Sequence, residues 1–185
     1  MRYSELQCSE AIHKAVDRMG FEEMTEIQEK VIPLMMEGRD VIAKAPTGTG
    51  KTCAFGIPVA EHIRPEEGVP QAVILAPTRE LAQQIAGDME DLTYFMPAVK
   101  VACVYGGANM DKQARRLAEG CQIVVATPGR LMDHYKHRSI DLSHVTQIVL
   151  DEADEMLNMG FYKDVRHIID LMRNRKSLSM FSATI

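Results

Sequence analysis

The chain has no tryptophan, and aromatic residues make up only 5% of its 185 positions. A fold held together by large aromatic clusters is therefore excluded, and the 13 methionines are read as core filling. Cysteine is also sparse. Cys8, Cys53, Cys103 and Cys121 are scattered, with no Cys-x-x-Cys pair, which argues for free thiols in a reducing cytoplasm and against a zinc site. No apolar run approaches a bilayer span, and the polar N-terminus has no signal-peptide core, so neither a membrane protein nor an exported one is expected. Positive charge is not in excess: the net charge is -5, which excludes gripping a polyanion through a bulk basic surface. The six histidines show no strong ligand spacing. His134 and His137 could share a helix face, where solvated or capping roles are favoured over a metal.

What the sequence does contain is an alternation of apolar runs with helical periodicity. A helix is expected from Ser9 to a stop at Gly20, and a second from an N-cap at Thr25 to Gly38, bent or interrupted at Pro33. Further helices follow over Thr52–Ile63 despite Pro58, and then over Arg79–Leu92, Asp111–Ala118, Pro128–Tyr135 and Tyr162–Arg173. Between them lie strand-like runs at Asp40–Lys44, Ala72–Ala76, Val99–Val104, Gln122–Ala126, Thr146–Leu150 and Ser177–Phe181, with an exposed connector over Arg64–Pro70. The order predicts one α/β domain: a parallel sheet with helices on both faces, with ligands at the carboxyl ends of the strands.

The first such end carries Ala45-Pro46-Thr47-Gly48-Thr49-Gly50-Lys51-Thr52. Two glycines able to take positive φ let backbone N–H groups turn around an anion at the start of a helix. Lys51 adds a charge for β- and γ-phosphates, and the Thr52 hydroxyl a ligand for Mg²⁺. Ala45 stands where the general motif has its first glycine, a position that ordinary backbone angles satisfy. The plain alternative is a Gly-rich turn without a ligand. Later in the chain Asp151 and Glu152 follow the apolar run Ile148-Val149-Leu150 directly. Asp151 is placed to hold Mg²⁺ through water and Glu152 to orient and deprotonate an attacking water, although acids there also serve as helix caps.

These motifs together resemble the DEAD-box ATP-dependent RNA helicases, whose name spells Asp151-Glu152-Ala153-Asp154. The resemblance extends over nearly the whole chain, through Gly20-Phe21 with Thr25 and Gln28, the phosphate loop, Pro77-Thr78-Arg79-Glu80-Leu81-Ala82, Gly106-Gly107, Thr127-Pro128-Gly129-Arg130 and Ser182-Ala183-Thr184. It implies the N-terminal RecA-like, P-loop domain of such an enzyme, with residues 1–38 as an adenine-recognition region and 39–185 as the core. It assigns Gln28 to the adenine edge and Phe21 to packing on its ring; a solvated helix residue and an ordinary core residue are the plain alternatives. Tyr3 matches an upstream aromatic position where Phe is usual, and Met24 replaces a common Pro. Pro77, Thr78, Arg79, Gly106, Gly107, Thr127, Pro128, Gly129 and Arg130 become the RNA-facing set, holding sugar-phosphate oxygens without reading bases. Helix caps and tight turns are the alternative for each. Asp154, Ser182 and Thr184 would couple ATP to RNA, while Met156, Leu157, Met159 and Phe161 are read as core or helix-packing residues.

The resemblance further implies ATP as substrate, Mg²⁺ as cofactor and RNA as partner. A second RecA-like domain, with its arginine fingers, is the other partner and is absent from this chain, which stops at Ile185. Such an arginine supplies on the order of 10³ to 10⁵ in rate, so the chain alone is expected to be monomeric, to bind nucleotide weakly and not to unwind duplexes. Two other classes keep the motifs. A nucleotide-gated RNA clamp without turnover is opposed by Glu152. A different phosphate-loop enzyme is the other: a small-molecule kinase lacks any signal for an acceptor pocket and lid, and a DNA helicase is told from an RNA helicase by whether 2′-hydroxyls are required.

Overall fold

A computed structural model describes residues 1–45 and 50–184. Its centre is a six-stranded parallel sheet in the order β1-β6-β5-β2-β4-β3, with β1 at Ile42–Lys44, β2 at Ala72–Leu75, β3 at Val101–Val104, β4 at Ile123–Ala126, β5 at Gln147–Asp151 and β6 at Ser177–Ser182. The middle strands β2, β4 and β5 are buried at every residue, as their uninterrupted apolar runs require. Register follows from that burial: Leu75 pairs with Ala126 on one side and Leu150 on the other, and Asp151 lies beside Phe181. All six strands point the same way, so their carboxyl ends form one edge.

Helices cover both faces. On one, α1 (Glu10–Met19), α2 (Glu26–Met36), α3 (Lys51–Glu61) and α4 (Arg79–Leu92) pack over Ala43, Ile74, Val125, Val149 and Phe181. On the other, α5 (Met110–Ala118), α6 (Pro128–Lys136), α7 (Ala153–Asn158) and α8 (Tyr162–Leu171) pack over Val73, Leu75, Val124 and Leu150. Burying both faces removes enough apolar area to fold the chain without disulfides, and the four cysteines are free thiols. Burial pushes the Cys103 and Cys121 thiols up to about 11.

Several helix starts are fixed by capping side chains. Ser9 accepts from Ile12 N, and Thr25 forms a reciprocal capping box with Gln28. Pro33 and Pro58 both lie inside continuous helices, so the interruption expected at Pro33 does not occur. Helix α8 stops at Leu171, short of the expected Arg173, and α7 was not anticipated. Leu157 and Met159, expected to pack, are 57% and 50% exposed; of that group only Met156 is fully buried. Among the described residues no helix is long and apolar enough to cross a membrane.

Candidate functional site

The functional residues expected from the sequence and present among those described lie along or beside the carboxyl edge of the sheet. Because β1, β6 and β5 are neighbours, the phosphate-loop residues and the acid pair come together, although about a hundred positions separate Lys51 from Asp151. Pro46, Thr47, Gly48 and Thr49 lie outside the described residues. Ala45 is buried, and its N–H donates to Ser182 O at 2.9 Å, tying the start of the loop to the end of β6. Gly50 caps α3 at φ 93°, and a Cβ there would stand 2.8 Å from Gln28 Nε2, so neither the backbone angle nor the space admits a side chain.

Lys51 Nζ lies 2.9 Å from Asp151 Oδ1 and 3.9 Å from Glu152 Oε2. The lysine and aspartate are buried, whereas the Glu152 side chain is 19% exposed and open to solvent. Asp151 Oδ1 also accepts from Glu152 N, but Oδ2 is buried without a hydrogen-bond partner among the described residues. Burial pushes both carboxyls above the usual carboxylate range, with the Lys51 ammonium pulling each back. Glu152 sits in the left-handed region at φ 50°, an uncommon backbone for a non-glycine residue that turns its side chain off the strand end. Asp154 accepts from Thr184 N at 3.2 Å and Thr184 Oγ1 at 3.0 Å. Burial works against its charge, but these bonds leave its carboxyl below the ordinary value.

A cleft of about 380 Å³ opens beside this cluster, lined by Thr25, Ile27, Lys30, Ala45 and Lys51. Next to Thr25 and Ile27 of that lining, Gln28 is buried rather than solvated. Its Oε1 accepts from Tyr3 OH and from Thr25 N at 3.0 Å, and its Nε2 donates to Gly50 O at 3.0 Å. Among the described residues the second Nε2 proton has no acceptor. Phe21 is 39% exposed and stacks on Tyr3 with ring centroids 6.3 Å apart, so it is available at the surface and is not an ordinary core residue. A wider, shallower depression of about 640 Å³ around Tyr135, Arg138 and Asp141 lies at the far end of α6.

The other half of the edge holds the second group of expected residues. Arg79 is exposed after β2, its guanidinium 4.7 Å over the Tyr105 ring and 4.0 Å from where a Cβ of Gly107 would stand. Gly106 and Gly107 are exposed at the turn after β3, Gly107 at φ 84°. Pro77 is buried and Thr78 caps α4, accepting from Leu81 N at 3.2 Å. Thr127 is the N-cap of α6 by backbone position, yet its side chain makes no capping bond; Pro128 is buried and Gly129 partly exposed. Arg130 is only 12% exposed and donates from Nη1 to Ala108 O and Gln113 Oε1, both at 3.0 Å.

Sequence reasoning missed Gln113 altogether, and it weighed His134 as a solvated, capping or metal-binding residue. His134 is fully buried and bonds Gln113 Oε1 through Nε2 at 3.0 Å, while His137 is exposed and bonds Asp133 O, as a helix-end residue does. The available signal for Gln113 was its place one helical turn before Leu117, a polar side chain on the inward face of α5.

Six parallel strands, a helix that starts after Gly50 at positive φ beside a buried lysine, and an acid pair at the end of β5 define a RecA-like domain. The sequence profile of the DEAD/DEAH box helicases matches residues 25–185, and the chain belongs to that family. It is 50% identical over 184 residues to the ATP-dependent RNA helicase CshA of Listeria monocytogenes, covering 100% of this chain and 35% of that protein. To the ATP-dependent RNA helicase DeaD of Escherichia coli it is 45% identical, over 99% of this chain and 29% of DeaD. A solved DEAD box protein from the hyperthermophile Methanococcus jannaschii matches with a TM-score of 0.91 and 43% identity over 100% of this chain and 50% of that one. The chain spans about a third of the length of these curated relatives.

Proposed function

We propose that this chain is the nucleotide-binding part of a cytoplasmic, ATP-dependent RNA helicase, residues 1–38 serving adenine recognition and 39–185 forming the core. The observation that carries the reading is the cluster of Lys51, Asp151 and Glu152, three charged groups that no structural need explains at the end of a buried strand. ATP would place its phosphates over Gly50 and the N-terminus of α3, drawing Lys51 off Asp151 toward the β- and γ-phosphates. Asp151 Oδ2, buried and unpartnered, fits a Mg²⁺ ion or its water, with the Thr52 hydroxyl as the other ligand. Among the described residues no group of three His, Cys, Asp or Glu surrounds a metal, as expected of an ion held mainly by phosphate and water. Bound there, Mg²⁺ would neutralise developing phosphate charge.

Glu152 would accept a proton from the attacking water, its carboxyl already pushed up toward the range of an effective base. Asp154, held by Thr184, and Ser182, whose carbonyl holds Ala45, would carry changes at the γ-phosphate to the end of β6. On the other half of the edge Thr78, Arg79, Gly107, Thr127 and Gly129 would meet the RNA backbone, with Pro77, Pro128, Gly106 and Arg130 shaping the surface. This localised set answers the absence of a basic excess. A second RecA-like domain in the same polypeptide would complete both sites.

The adenine pocket is tested by titrating labelled ADP and competing it with ADP and GDP, in the wild type and Gln28→Ala. Preference for ADP in the wild type, lost in Gln28→Ala, supports the reading. Equal competition by GDP in the wild type overturns the adenine pocket. An equal loss of both nucleotides in the variant shows that Gln28 braces Gly50 rather than reading the base.

A further inference from the structure

Gln113 joins two of the places that the expected RNA-facing motifs come from, the Gly106-Gly107 turn and α6, and it belongs to neither motif. It is buried on α5, and its carboxamide makes one bond to the turn and two to α6. Nε2 donates to Tyr105 O at 3.0 Å, the carbonyl immediately before Gly106-Gly107. Oε1 accepts from Arg130 Nη1 and lies 3.0 Å from His134 Nε2, both on α6. A carboxamide oxygen only accepts, so the buried His134 carries its proton on Nε2, and its Nδ1 is left without a partner. The same Nη1 of Arg130 reaches Ala108 O, immediately after Gly106-Gly107. The carbonyls on both sides of the glycine pair are thus pinned, one by Gln113 and one by Arg130, and the two pinning groups are bonded to each other.

We propose that Gln113, with His134 behind it, is a positioning residue that locks the Gly106-Gly107 turn to the first turn of α6, so that both present RNA-binding groups as one rigid surface. This rests on the reading of the edge as an RNA surface. Arg130, committed to two oxygens of its own chain, then acts mainly as the strut of that lock, and Arg79 beside Gly107 is the arginine left to meet phosphate. Without the lock, two glycines with unrestrained backbones must be ordered when RNA binds, and the entropy of ordering them weakens binding.

The test uses Gln113→Leu, similar in volume and unable to make any of the three bonds, and Gln113→Glu, which keeps the oxygen facing Arg130 and His134 but loses the donor to Tyr105 O. Backbone order parameters of Gly106 and Gly107 are measured by NMR relaxation in this chain, alongside titration of a fluorescent oligouridine and of labelled ADP. In Gln113→Leu the glycine order parameters are expected to drop from about 0.85 toward 0.6. RNA affinity is expected to fall about tenfold, with ADP affinity unchanged. Gln113→Glu is expected to fall between the wild type and Gln113→Leu, and it decides the question if the leucine variant does not fold. Order parameters unchanged at both glycines overturn the lock whatever the RNA titration gives. An oligouridine that fails to bind the wild type overturns the RNA surface instead, and the order parameters still decide whether the lock exists.

Discussion

The β1-β6-β5 half of the sheet edge and the β2-β4-β3 half are built from different materials. The first is made of charge taken out of water: a buried Lys51 on a buried Asp151, a carboxylate oxygen with no partner, and Glu152 in a left-handed turn. The second is held mainly by neutral and charge-assisted hydrogen bonds: Thr78 on Leu81 N, Gln113 on Tyr105 O, Arg130 on Ala108 O, with exposed glycines between them, although Arg130 Nε and His134 Nδ1 are buried there without a partner among the described residues. A buried ion pair contributes little net stability, since desolvation offsets most of the attraction, so its presence at a strand end calls for a ligand that reorganises it. A hydrogen-bonded scaffold under exposed backbone calls for a ligand that is met without reorganisation. On the proposed reading, the β1-β6-β5 half, which would take nucleotide, is thus poised to change on binding, and the β2-β4-β3 half, which would take RNA, to stay as it is.

The comparison breaks most visibly at Glu152. In the longer helicase proposed above, Glu152→Gln is expected to lower RNA-stimulated phosphate release by about 10² to 10⁴, the usual contribution of a general base, while labelled ADP still binds. A variant that turns over at the wild-type rate would remove Glu152 from the chemistry.

Next in size is the stability of the ion pair. Asp151→Ala strands Lys51 in a buried site and is expected to cost about 3 kcal/mol, the low end for breaking a buried pair, because Glu152 Oε2 is near enough to take part of the charge. Combining Asp151→Leu with Lys51→Met should recover most of that loss while abolishing nucleotide binding. Urea unfolding of the chain measures both. On the other half, Thr78→Ala removes a cap and is expected to cost about 1 kcal/mol. A double variant on the nucleotide half as unstable as Asp151→Ala would show that the pair supports the fold rather than the ligand.

How far the sequence could be read follows the same division. Val73-Ile74-Leu75 and Ile148-Val149-Leu150 are long enough apolar runs to announce buried strands, and Ser9, Thr25 and Thr78 announce helix starts because capping is local chemistry. The nucleotide half was legible because each of its parts is a short motif. Helix α7 was not, since it has six residues and turns Leu157 outward, which gives no periodic signal. Nor was the junction at Gln113: its partners come from residues 105, 130 and 134, and nothing within one turn of α5 predicts that a polar side chain at an inward position will find them. For the same reason the sequence places Arg130 in the RNA-facing set without revealing that its guanidinium bonds Ala108 O and Gln113 Oε1.

The smallest expected effect sharpens the contrast from the RNA side. Burial and then the Arg130 guanidinium hold the His134 imidazole below its ordinary value of 6.5, with His137 adding to them and Asp133 opposing. As pH falls through about 6.5 the unfolded chain takes up this proton before the folded one does, so stability declines from there until the lower folded value is reached, and levels off. Above 6.5 His134 contributes no pH dependence. His134→Gln keeps a donor for Gln113 without a titrating group, so its stability should lose this component between neutral pH and about pH 5. Thermal unfolding of the two proteins across that range gives the difference directly. If the wild type gained stability on acidification relative to His134→Gln, His134 would be charged in the fold, its proton arrangement against Gln113 would be wrong, and the RNA half would depend on buried charge as the nucleotide half does.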